Sequence, residues 1–125
     1  MSRRAIATTD APAPAGGYSQ GIVAGDHLYL AGQGPFDSSG TLVDTSFDAQ
    51  MRQVFANLAA VATAAGASLA DAVRVGVYLQ DMSTFDEMDT IYRTIFAEPR
   101  PARTTIGTTL GGFAIEADAV IYLGD

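Results

Sequence analysis

Cysteine, lysine and tryptophan are absent from this 125-residue chain, and His27 is its only histidine. Each gap removes a class of chemistry. Without cysteine there is no thiol nucleophile, no disulfide framework and no thiolate metal site. One histidine cannot build a His-rich zinc or iron centre within one chain, so no metal is expected. Schiff-base and pyridoxal-phosphate catalysis need a lysine amine, as does a phosphate-binding P-loop, so no cofactor of that kind is expected. A Ser-His-Asp triad would have to use His27. All basic charge resides in Arg3, Arg4, Arg52, Arg74, Arg93, Arg100 and Arg103, and the net charge is −7. Nucleic-acid binding runs on clustered cations that neutralise phosphates, and these arginines form no such cluster, so no nucleic-acid partner is expected. No stretch approaches the roughly 18 apolar residues of a membrane span. The Arg3-Arg4 pair is followed by no apolar export segment. A cytoplasmic protein without a membrane partner is the expectation.

What is present is enough for one compact domain. A 48% hydrophobic share in a chain of this length suits a single core over residues 1–125. Residues 1–17 are read as an irregular arm, because Asp10 to Gly17 carries two prolines and two glycines. Tyr18 to Val23 and His27 to Ala31 read as a hairpin around Ala24-Gly25-Asp26. Phe47, Met51, Val54, Leu58, Val61 and Ala65 form one apolar stripe at helical spacing. Thr45 with Asp48 fits a capping box at its start, and Gly66 a C-terminal stop. Val73, Val75, Val77 and Leu79 then alternate with Ala72, Arg74, Gly76 and Tyr78, as in a half-buried strand. A second helix begins near Ser83 and closes before Pro99 and Pro101. Two strands, about Ala102 to Thr109 and Phe113 to Leu123, finish the chain. The order β-β-α-β-α-β-β predicts an α+β fold with two helices on one face of a sheet.

Four features carry candidate chemistry. Arg103, at the mouth of a strand after a proline-rich turn, can clamp a carboxylate through two parallel N–H bonds, or serve as a surface ion-pair partner. Glu116 and Asp118 sit two apart on the last strand and so share one face, where a carboxylate can orient or deprotonate water. The same spacing also fits a polar outer face. Tyr18-Ser19-Gln20 follows the arm, and Ala31-Gly32-Gln33-Gly34-Pro35 ends a strand where Gly32 lets a ligand approach backbone amides. Gly111-Gly112 lacks the strand and helix context of a dinucleotide fingerprint, and His27, beside a turn, reads as solvent-facing.

The segments Tyr18-Ser19-Gln20-Gly21 and Leu28-Tyr29-Leu30-Ala31-Gly32-Gln33 resemble the opening of the RidA (YjgF/YER057c/UK114) family. Gln50 to Asn57, Val77-Tyr78-Leu79-Gln80-Asp81-Met82, Arg100-Pro101-Ala102-Arg103-Thr104 and Ile115-Glu116-Ala117-Asp118-Ala119-Val120 extend the resemblance in order over nearly the whole chain. It implies a chorismate-mutase-like α+β fold assembled as a homotrimer, with the sheets forming a central barrel and three clefts between subunits. It also implies hydrolysis of reactive enamines and imines, of the 2-aminoacrylate and 2-iminopropanoate type, to a 2-oxo acid and ammonia without a cofactor. By resemblance Arg103 holds the substrate carboxylate and Glu116 positions the attacking water. Tyr18 shapes the cleft, Gly32 offers its backbone, and Phe85 comes from a neighbouring subunit. Beyond the resemblance, the Thr105 hydroxyl is a further candidate for positioning the substrate.

The chain departs from the family pattern at several places. Gly17 stands for a proline, Ala31 for a serine, Thr105 for a cysteine and Asp89 for an asparagine. The connection from Arg103 to Glu116 is about two residues shorter than usual. Its glycines, Gly107, Gly111 and Gly112, predict a wider or more mobile pocket wall. Two alternatives to the deaminase therefore stand: a specialised biosynthetic relative acting on a larger substrate, and a non-catalytic trimer that binds carboxylate metabolites. A ribonuclease, the label some relatives carry, fits poorly with a −7 chain that has no lysine.

Overall fold

The computed structural model describes residues 2–124; Met1 and Asp125, included in the expected domain, lie outside the described residues. Six strands form one sheet: β1 (Arg3–Ile6), β2 (Gly21–Ala24), β3 (His27–Gln33), β4 (Ala72–Leu79), β5 (Ala102–Gly107) and β6 (Ile115–Tyr122). Helices α1 (Phe47–Ala64) and α2 (Phe85–Ile95) complete the fold, and short 3-10 turns precede β4 and α2. The strand order is β1-β2-β3-β6-β4-β5. Neighbours are antiparallel except β4 and β5, which run parallel and are joined through α2. The mixed α+β class follows the sequence reading.

β1 corrects the expectation of an irregular arm over residues 1–17. Arg3, Arg4 and Ala5 are exposed and only Ile6 is buried, so no hydrophobic alternation announces the strand. It exists through backbone pairing with β2, Arg3 opposite Ala24 and Ile6 opposite Gly21. The irregular part is the segment between β1 and β2, and the buried Gln20 side chain fastens it. The Gln20 Oε1 accepts from Thr8 N (2.7 Å), while Nε2 donates to the carbonyls of Thr8 (3.1 Å) and Pro12 (2.8 Å).

α1 buries its expected stripe: Met51, Val54, Leu58 and Val61 have no exposed surface. Each such side chain contributes roughly 1.5–3 kcal/mol relative to exposure. The helix starts one residue later than the capping box suggested, because Ser46, not Thr45, sits extended at the N-cap and accepts from Ala49 N (3.2 Å). It stops as expected. Gly66 adopts φ +76°, its N–H donates to the Thr63 carbonyl and that of Ala67 to the Ala62 carbonyl, a Schellman closure.

β4 keeps Val75, Val77 and Leu79 in the core, but Val73 is exposed. The ladder with β6 shifts register between Ala72 and Arg74, which turns Val73 away from its expected face. One core gathers Leu28 and Leu30 of β3, these β4 residues, Ile115, Ala117, Ala119 and Ile121 of β6, and the inner sides of both helices. The helices thus cover one sheet face. Period two sends Tyr29, Gly76, Tyr78, Glu116 and Asp118 to the other.

Candidate active site

The two carboxylates on the open face have different fates. Asp118 is committed to structure: Oδ1 accepts from Gly76 N (3.2 Å) and Oδ2 from the Tyr78 hydroxyl (3.0 Å). A side chain at position 76 would run into Asp118, so glycine there makes the room. The Glu116 carboxylate, two residues earlier, makes no hydrogen bond or ion pair among the described residues. Burial pushes its carboxyl above the usual carboxylate range, and the charge of Asp118 adds to that. A half-buried, unpaired carboxylate with raised basicity suits a general base more than a structural ion.

Glu116 lies against Gly32, where a Cβ would come within 2.5 Å of its Oε2. The two line a cavity of about 530 Å³ with Tyr18, Phe36 and Phe113, together with Pro12, Ala13 and Ala15 of the arm. The arm curls because Tyr18 N donates to the Gly16 carbonyl (2.9 Å) and the Tyr18 hydroxyl accepts from Ala15 N (3.0 Å). Phe36 and Phe113 meet edge to face at 5.3 Å. Buried Asn57 of α1 sets that wall by donating to the carbonyls of Gly34 (3.2 Å) and Phe36 (2.8 Å). Nothing in the sequence marked Asn57 and the two phenylalanines as a unit, since each comes from a different element.

Arg103 is elsewhere. It pairs with Val75 across the parallel ladder, so it points to the helix side of β5. Glu116 pairs with Tyr78 and points to the other face. Within one chain the two proposed catalytic groups therefore occupy opposite faces of the sheet. Arg103 Nη1 donates to Asp89 Oδ1 of α2 (2.9 Å), and Asp89 Oδ2 accepts from Arg93 Nε (3.0 Å). The guanidinium carbon lies 4.6 Å from the Tyr92 ring centroid and 5.5 Å from that of Phe85. Phe85, expected to reach the cleft from a neighbouring subunit, packs beside Arg103 within one chain. The Thr105 and Tyr92 hydroxyls are both buried without a hydrogen-bond partner among the described residues.

The predicted site residues thus fall into two groups: Tyr18, Gly32 and Glu116 around the cavity, and Phe85, Arg103 and Thr105 beside α2. Asp89 and Tyr92 belong to the second group and were not among the predicted site residues. The available signal was helical spacing, since Phe85, Asp89 and Tyr92 recur at four and three residues and so share one side of α2. No group of three or more His, Asp or Glu that could hold a metal occurs among the described residues. No helix among the described residues is long and apolar enough to cross a membrane.

A mixed six-stranded sheet backed by two helices, with a carboxylate over a strand glycine, defines a protein of the YjgF-like α+β class. The family model described as Endoribonuclease L-PSP matches residues 8–122. A RutC family protein of Pyrococcus horikoshii is 41% identical over 123 residues, covering 96% of this chain and 98% of its own. The Mus musculus 2-iminobutanoate/2-iminopropanoate deaminase is 34% identical over 125 residues, with 98% and 93% coverage. The crystal structure of RidA from an Antarctic Psychrobacter superposes with a TM-score of 0.89 at 36% identity, covering 95% of this chain and 98% of that one. The chain belongs to the RidA (YjgF/YER057c/UK114) family.

Proposed function

We propose that this protein hydrolyses small reactive 2-imino acids and their enamine tautomers to 2-oxo acids and ammonia, in clefts shared between the subunits of a homotrimer. The observation that carries the reading is Glu116: a half-buried, unpaired carboxylate of raised basicity in a cavity lined by Tyr18 and the arm. The deaminase names of the mouse, rat and Dermatophagoides farinae relatives support it. Since Arg103 and Glu116 face opposite sides of one sheet, a shared cleft takes the arginine group from one copy and the glutamate group from another.

The chemistry suits this residue set. An imine carbon is already electrophilic, so a water held beside it needs orientation and a base, an effect worth about 10²–10⁴-fold for the base alone. Glu116 takes a proton as the water oxygen bonds to the imine carbon and passes it to the imine nitrogen, giving a carbinolamine. It then takes the proton of the carbinolamine hydroxyl and delivers it to nitrogen as the C–N bond breaks, releasing ammonia and leaving the 2-oxo acid. An enamine substrate first tautomerises to the imine. Arg103 fixes the carboxylate through its free N–H edge, and the orphaned Thr105 hydroxyl supplies a further donor. No thiol, amine or metal enters any step.

The test generates 2-iminopropanoate in situ and follows pyruvate. Wild-type hydrolysis well above buffer and above Arg103→Ala is expected; a rate equal to either contradicts the reading. The cavity volume favours one second reading, a family member acting on a larger substrate. Weak iminopropanoate turnover beside strong turnover of a bulkier imine would select it.

A further inference from the structure

The Arg103 group contains an acid that binding a carboxylate does not require. Asp89 bridges Arg103 and Arg93, and only a quarter of its side chain is exposed. Hydrogen bonds from Arg103 first, then Arg93, hold its carboxyl below the usual range, so it remains charged through neutral and mildly acidic pH. We propose that Asp89 is the positioning residue of the carboxylate-binding half-site: it aims Arg103 and limits the site to ligands with a single carboxylate. This inference rests on the reading of Arg103 as the carboxylate clamp.

Geometry gives the first half of the argument. Guanidinium presents five N–H donors, and the bond to Asp89 uses one of them, at Nη1. That bond and the Tyr92 ring beneath, at 4.6 Å, fix both the rotation and the plane of the group. The edge left over is a two-donor fork that matches one carboxylate. A guanidinium on its long stem, without this tether, would lose rotamer freedom on each binding event instead of having lost it already. Charge gives the second half. Arg103 and Arg93 against Asp89 leave one net positive charge, which one carboxylate neutralises. A second carboxylate on the ligand would meet the Asp89 oxygens and the −7 chain.

Binding of pyruvate and of 2-oxoglutarate is measured by calorimetry on wild type, Asp89→Ala, Asp89→Asn and Arg103→Ala, with thermal melting as a folding control. Asn keeps an oxygen that accepts from Arg103 Nη1 while removing the charge, and Arg93, largely exposed, turns to solvent. Asp89→Ala is expected to weaken pyruvate about tenfold, a change worth ~1.4 kcal/mol. Asp89→Asn is expected to hold pyruvate within about threefold and to bind 2-oxoglutarate more tightly than wild type does. Wild-type affinity in Asp89→Ala, equal losses in Asn and Ala, or unchanged 2-oxoglutarate binding in Asn would each overturn the proposal. Unchanged pyruvate binding in Arg103→Ala instead sinks the clamp reading itself. Loss in Arg103→Ala with none in Asp89→Ala sinks only this inference.

Discussion

Gly32→Ala separates catalysis from stability. The new Cβ would sit 2.5 Å from Glu116 Oε2 and 3.3 Å from its carboxyl carbon. Contacts of real Cβ atoms do not fall below 3.0 Å, so the carboxylate must retreat by at least half an ångström. Gly32 has no positive φ, so alanine adds no backbone strain. The atom in the way is the far end of a flexible side chain facing a cavity, so the displacement costs the fold little. For a base it costs much, because a misplacement on the order of 1 Å at a reacting centre can remove about 10² in rate. The expected outcome is pyruvate formation from 2-iminopropanoate reduced by roughly 10–10²-fold, with a melting temperature within a degree or two of wild type. Glu116→Gln supplies the comparison: it removes the base and leaves the wall in place. A Gly32→Ala protein that turns over at the wild-type rate would refute the claim that Glu116 acts from this position. One that unfolds early would refute the claim that the clash is cheap.

Two other measurements follow. Glu116 must be ionised to act, and burial raises its folded pKa above the ordinary 4.5, so activity should fall on acidification at a pH above 4.5. The linkage runs the same way: the protonated form is the one the fold favours, so this group adds stability as pH falls through its folded pKa and withdraws it above. Glu116→Gln should abolish the acid limb and melt no lower than wild type near neutral pH, as read from paired pH–rate and melting curves. Asn57→Ala should destabilise by about 1–3 kcal/mol, because the Gly34 and Phe36 carbonyls lose their donor. Chemical denaturation checks the size, and an unchanged midpoint would remove Asn57 as the support of the Phe36 wall.

The elements that could be read from the chain were those with a strong period or a single-residue rule. The 3.6-residue stripe of α1 and the left-handed Gly66 needed no tertiary information. The shared face of Glu116 and Asp118 likewise followed from period two alone. β1 was illegible because its residues bury almost nothing, and a strand held by backbone pairing leaves no pattern in side chains. The displaced Val73 depended on a register shift set by β6, which begins 42 residues further along. The least legible feature mattered most. Alternation showed which residues share a face within one strand, but not that β5 joins β4 in parallel with Arg103 beside Val75. Only that register sends Arg103 toward α2 and away from Glu116. It also explains why Asp89, a departure from the family pattern at the level of sequence, becomes a tether in the fold.

The central claim is that two copies of the chain make one active site. Arg103→Ala and Glu116→Gln proteins each keep only a small residual rate on that account. When the two are unfolded and refolded together, mixed assemblies contain clefts with an intact Arg103 from one copy and an intact Glu116 from the other. Pyruvate formation from 2-iminopropanoate should return in the mixture to a sizeable fraction of the wild-type rate, with assembly of both chains verified by native mass. No recovery in verified mixed assemblies would contradict the shared site.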